Sequence, residues 1–174
     1  MKRIAIFGKP GGGKSTLAEQ LSEKFELPLY ALDMIEYKNN GEKVAVEEYE
    51  NSHNKIINGD KWVIEGFGYR QSFWSRLELA DTLIYVDLPY KTHYWWIIKR
   101  FLKGGYSKPK GWPPGSSVVK GTFNSFKFLK LSPLFWNQEF TNKLQDQYPN
   151  KKLIWLKSKE QLMNVVNEIQ SENI

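Results

Sequence analysis

The sequence predicts an α/β protein of three layers, a five-stranded parallel sheet with helices on both faces. Three observations carry this expectation. Short apolar runs alternate with segments of helical spacing, the order that builds a parallel sheet. The runs are continuous rather than alternating, as in strands buried on both faces. A glycine-rich turn separates the first run from the first helical segment.

Ile4 to Phe7 is the first strand, and Leu17, Leu21 and Phe25 mark the helix after it. Leu27 to Leu32 reads as a second strand ending at Asp33. Val46, Tyr49, His53 and Ile56 follow helical spacing, and His53 on that stripe reads as a satisfied core histidine. Trp62 to Ile64 is a third strand ending at Glu65-Gly66. Phe73, Leu77 and Ala80 suggest a short helix, and Leu83 to Val86 a fourth strand ending at Asp87-Leu88-Pro89.

The next helix is expected to bury Trp95, Ile98 and Leu102, with Trp96, Arg100 and Lys103 on its opposite face. Lys103 to Ser117 is too rich in Gly and Pro for regular structure. Ser132-Pro133 reads as a helix start that Phe140, Leu144 and Tyr148 continue. Leu153 to Leu156 is the fifth strand. Ser158 and Gln161 form a capping box before a last helix carrying Leu162, Val165 and Ile169.

With 174 residues, 41% hydrophobic and 25% charged, the chain suits one soluble globular domain, residues 1–174, without repeat or linker. The absence of cysteine excludes disulfides, thiolate metal sites and a cysteine nucleophile. No signal-peptide pattern and no membrane-length apolar run occur, so a cytoplasmic protein with no membrane partner is expected. Nothing in the sequence sets the oligomeric state.

Gly8-Lys9-Pro10-Gly11-Gly12-Gly13-Lys14-Ser15 fits G-x-x-x-x-G-K-[ST], between a buried-type strand and an amphipathic helix. Gly8, Pro10, Gly11, Gly12, Gly13 and Thr16 belong to this phosphate cradle with Lys14 and Ser15. Glycines let backbone N–H groups converge on phosphate oxygens at the positive end of the following helix. Lys14 supplies a charge for the β- and γ-phosphates, and the Ser15 hydroxyl is a ligand for Mg²⁺. ATP and Mg²⁺ are therefore the expected cofactors.

Ligands of such sheets bind beyond the carboxyl ends of the strands, which makes Asp33, Glu65 and Asp87 candidates. Each also has a plain reading as a helix cap. A phosphate-transferring site needs an acid near the cradle serine for the metal and cations for the transferring group. A carboxylate to position an acceptor hydroxyl completes it. Arg76 serves equally as a surface ion-pair residue, and His93 has no assigned role.

Trp62-Val63-Ile64-Glu65-Gly66-Phe67, with Arg70 following, resembles the strand-end Asp-Gly-Phe-Pro-Arg of adenylate kinases. The other motifs, in order, are Leu27-Pro28 with Leu32-Asp33, the run Ala80 to Pro89 (A-D-T-L-I-Y-V-D-L-P), and Lys99-Arg100. With them the chain is similar to an adenylate-kinase-like branch often labelled DNA topology modulation protein. The likeness covers roughly Arg3 to Lys103. It implies a P-loop kinase with strand order 2-3-1-4-5 and a short lid at about 91–120. It further implies Glu65 on the Mg²⁺ shell, Arg70 or Arg76 facing the acceptor, and Asp33 contacting the acceptor. Arg100 would reach the transferring phosphate, and Lys157-Ser158 the donor base. The chain departs from the pattern in Glu65 for Asp, in one extra residue before Arg70, and in Trp96 where an arginine is frequent.

Charge is unevenly spread. Met1 to Asp87 holds 11 Lys/Arg and 14 Asp/Glu, whereas Leu88 to Gln138 holds 9 basic residues and no acid. Tyr, Trp and Phe interleave with these cations. The segment reads as a lid closing over phosphates, as a nucleic-acid surface through residues 91–130, or as a solvated basic face.

These readings together point to an enzyme moving the γ-phosphate of Mg-ATP to a small-molecule acceptor, with a nucleotide or nucleoside favoured by the resemblance. The alternatives are a nucleotide-dependent nucleic-acid-binding protein with little kinase activity and a kinase of a non-nucleotide metabolite.

Overall fold

Five parallel strands form one sheet in the computed structural model, which describes residues 1–103 and 117–171. They are β1 (Arg3–Gly8), β2 (Leu29–Ala31), β3 (Trp62–Glu65), β4 (Thr82–Val86) and β5 (Lys152–Leu156), in the order β2-β3-β1-β4-β5. The helices are α1 (Lys14–Phe25), α2 (Leu32–Glu36), α3 (Val46–Ile57), α4 (Arg70–Leu79), α5 (Tyr90–Lys103), α6 (Val118–Leu131), α7 (Gln138–Gln147) and α8 (Lys159–Ser171). A 3-10 turn, Ser132–Leu134, joins α6 to the segment before α7.

The continuous apolar strands bury both faces. Ile4, Ile6, Val63 and Ile84 pack with Leu17 and Leu21 of α1 and Val165 of α8. Ala5, Phe7, Ile64 and Tyr85 pack on the other side with Phe73 of α4 and Phe140 of α7. In register, Ile6 of β1 pairs with Glu65 of β3, and Ala31 of β2 also pairs with Glu65. The carboxyl ends of the three strands therefore meet at one rim.

The second strand is shorter than Leu27 to Leu32. The Leu27 amide donates to the Ser22 carbonyl and closes α1, while Leu32 already opens α2. Asp33 consequently stands in the first turn of α2, not at a strand end. Pro133 starts only a 3-10 turn, because Phe135 and Trp136 turn into the aromatic cluster around Phe67, Phe73 and Phe140. Asn137 then caps α7, its side chain accepting from the Phe140 amide at 2.9 Å.

The face of α5 is reversed from expectation. Thr92, His93 and Ile97 are buried, while Trp95 is 56% and Leu102 68% exposed. The cause is the glycine turn, which accepts Ile97 and His93 at a distance no β-carbon would allow. The Ser158–Gln161 capping box forms as expected. Gln161 accepts from the Lys157 amide at 2.7 Å and donates its own amide to Ser158 Oγ at 3.2 Å. Most of Lys103 to Ser117, and with it the middle of the expected lid, lies outside the described residues.

Candidate active site

The cradle stands where β1 runs into α1. A side chain on Gly8, at φ +135°, would collide with the Val86 carbonyl of β4. Gly11 has φ +70°, and a β-carbon there would lie 2.6 Å from Ile97 Cγ1 of α5. Thus the turn is squeezed between β4 and α5, which fixes its shape before any ligand arrives.

Lys14 Nζ donates to the Lys9 carbonyl at 2.8 Å, so the lysine folds back across its own loop. Burial lowers its pKa, against the pull of Glu65 and Asp33 in the other direction. Ser15 Oγ donates to Glu65 Oε1 at 3.0 Å, and Glu65 is 5% exposed. A hydroxyl and a buried carboxylate facing each other beside a phosphate cradle form an oxygen donor set that suits a hard cation such as Mg²⁺. Among the described residues no group of three or more His, Cys, Asp or Glu is placed to hold a metal ion.

Asp33 is exposed as a residue on the first turn of α2, yet its carboxyl feels the charges of Glu65, Glu36, Lys14 and Arg100. Desolvation, then Glu65 and Glu36, raise its carboxyl to about 6, while Lys14 and Arg100 pull the other way. Arg100 is half-buried, with its pKa lowered by burial and supported by Asp33. Its Nη2 donates to Ser125 Oγ at 2.7 Å, tying α5 to α6. Lys14, Ser15, Glu65, Asp33 and Arg100 thus form one electrostatic group.

The two candidate acceptor arginines part company. Arg70 is exposed at the start of α4, its guanidinium 5.9 Å from the Phe135 ring centre. Arg76 is 0% exposed, and its Nη2 donates to the Gly66 carbonyl at 2.9 Å. Burial lowers its pKa to about 10. It touches the loop behind Glu65 rather than an open cleft. Thr16 is exposed on the first turn of α1.

Lys9 and His93, which had no assigned function, and the candidate acid Asp87 all make contacts that brace the cradle. Lys9, 3% exposed, pairs with Asp87 and lies 4.8 Å from the Tyr90 ring centre. Asp87 also accepts from Trp155 Nε1 at 3.1 Å, so it joins the cradle to β5 instead of only capping a helix. His93 Nδ1 donates to the Pro10 carbonyl at 2.8 Å, and burial lowers its pKa to about 4. The i, i+3, i+4 spacing of His93, Trp96 and Ile97 was the available signal; the greater bulk of Trp95, Ile98 and Leu102 masked it. His53 is a core histidine, 1% exposed and stacked on Tyr49, but neither ring nitrogen has a hydrogen-bond partner.

Residues 4–120 match a family model described as an AAA domain. No curated protein matches the chain. Among solved structures, the chain is similar to a sugar kinase from a Janibacter species (13% identity, 98% of this chain and 93% of that one, TM-score 0.53). It is also similar to shikimate kinases from Aquifex aeolicus (17%, 98% and 94%, TM-score 0.51) and Bacteroides thetaiotaomicron (17%, 98% and 97%, TM-score 0.52). At these identities the likeness establishes the fold, a parallel sheet shared with P-loop kinases.

Proposed function

The chain belongs to the AAA-domain family, and on that premise we propose that it is an ATP-dependent phosphotransferase acting on a hydroxyl of a small acceptor. One observation carries the reading: Lys14, the Ser15–Glu65 pair and Asp33 converge at the carboxyl ends of β1, β2 and β3. Phosphate cradle, metal donors and a base for the acceptor are then adjacent.

The acceptor hydroxyl is held by the Asp33 carboxylate. Its oxygen forms a bond to the γ-phosphorus as the bond from that phosphorus to the β,γ-bridging oxygen breaks, and ADP leaves. The hydroxyl proton passes to Asp33. Lys14 leaves the Lys9 carbonyl to meet the β- and γ-oxygens, and Arg100 offsets charge on the transferring group. Ser15 Oγ and Glu65 would hold Mg²⁺, which would supply positive charge to offset that of the phosphates. Exposed Arg70, rather than enclosed Arg76, faces an anionic group of the acceptor.

A nucleoside or nucleotide acceptor follows from the resemblance of Trp62 to Phe67 and its flanking motifs to the adenylate-kinase-like branch labelled DNA topology modulation protein. A hydroxylated non-nucleotide metabolite is the second reading, favoured by the raised Asp33 carboxyl beside the cradle. Lys14→Ala is expected to cut phosphotransfer by about 10²-fold or more with the fold retained. Turnover like that of the unaltered protein would refute the mechanism.

A further inference from the structure

Apolar exposure in this molecule is concentrated. Of the 14 large apolar side chains exposed among the described residues, 11 lie between Tyr90 and Leu134. This is the same stretch in which Leu88 to Gln138 holds 9 basic residues and no acid. On α5, Trp95, Ile98, Phe101 and Leu102 form a single outward stripe, at 56, 40, 42 and 68% exposure. On α6, Val119 is 50% and Phe123 69% exposed, with Lys120, Lys127 and Lys130 also exposed. The two helices are joined by the Tyr94–Phe126 stack and the Arg100–Ser125 hydrogen bond.

We propose that the outer faces of α5 and α6 dock this protein onto an anionic phospholipid surface. Bulky apolar groups flanked by lysines on amphipathic helices suit the boundary between acyl chains and headgroups, where the lysines meet lipid phosphates. A second copy of the chain would set two acid-free basic faces against each other, which charge repulsion disfavours. Nucleic acid fits less well. Leu102, Ile98 and Val119 have no ring to stack on a base, and the one arginine of the segment, Arg100, turns inward to Ser125 and Asp33. The structure has no helix long and apolar enough to cross a membrane among the described residues, and this surface requires none. The proposal departs from the sequence expectation of no membrane partner, which rested on the lack of a membrane-length apolar run.

Co-sedimentation of the full chain with phosphatidylcholine vesicles, with and without about one-third phosphatidylglycerol, tests this. Binding to the anionic vesicles alone, weakened several-fold by high salt, is expected. Leu102→Ser with Phe123→Ser, and separately Lys120→Glu with Lys127→Glu, should each weaken it by roughly tenfold or more while nucleotide binding is kept. All four positions are exposed, and the nucleotide titration shows that each variant is folded. Equal binding to neutral vesicles, no vesicle binding, or unaltered binding by both variants would overturn the proposal. So would tighter binding to single-stranded nucleic acid, or dimers that the serine variant dissolves.

Discussion

Asp33 should set the acid limb of the reaction. Its carboxyl is raised to about 6, chiefly because it is desolvated and then because Glu65 and Glu36 face it. A base is lost on protonation, and kcat/KM reports groups of the free enzyme, so kcat/KM should climb through about pH 6. One unit lower, at pH 5, about one molecule in eleven keeps Asp33 ionised, and kcat/KM should lie roughly tenfold below its plateau. A carboxylate at its ordinary value of 3.8 would be about nine-tenths ionised there and would show almost no loss. The assay follows ADP formation with Mg-ATP and acceptor both held well below saturation, so that the free enzyme is the reporting form. Asp33→Asn preserves the side-chain volume and removes the base, so kcat/KM should fall by about 10²–10⁴ and the limb should vanish. A limb that persists in Asp33→Asn, or a midpoint near 4, would refute the assignment.

Glu65→Gln leaves a partner for Ser15 but removes the anionic oxygen, and should raise the Mg²⁺ concentration needed for half-maximal turnover by about tenfold or more in a metal titration. Asp87→Asn leaves buried Lys9 without its carboxylate and should cost about 3 kcal/mol in denaturant unfolding; adding Lys9→Met should recover most of it. His53 and His93 are both held to about 4 by burial. The unfolded chain therefore binds more protons between about 4 and 6.5, and stability is lost as pH falls through that window. Each histidine should account for about 2 kcal/mol between pH 7 and 4.5, and His53→Phe should flatten the profile measured by denaturation. Asp33 acts in the opposite sense, its contribution being lost as pH rises through about 6, which softens the combined slope.

The sheet was legible because its strands are continuous apolar runs, and the cradle because its glycines sit between a strand and a helix. Glu65 was legible because Gly66 follows it on the strand beside the cradle. Local pattern failed where tertiary contacts decided. The bulk of Trp95, Ile98 and Leu102 pointed to a buried stripe, yet the smaller space over Gly11 accepts His93 and Ile97 instead. Pro133 marked a helix start, but the pull of Phe135 and Trp136 into the aromatic cluster left the start to Asn137. Lys9 and Asp87 are 78 residues apart, and no local pattern pairs them. Arg76 read equally as an acceptor contact and as a surface ion-pair residue; its burial is set by its hydrogen bond to the Gly66 carbonyl after β3, ten residues away, which helical spacing does not reveal.

The most direct test is ³¹P NMR of the protein with Mg-ATP, alone and with pooled nucleosides, nucleoside monophosphates and sugars, beside Lys14→Ala. ADP that forms only with an acceptor pool, together with a new phosphorus resonance absent from Lys14→Ala, is the predicted result. ATP that binds yet passes its phosphate to no pool, or an unchanged spectrum in Lys14→Ala, would contradict the phosphotransferase.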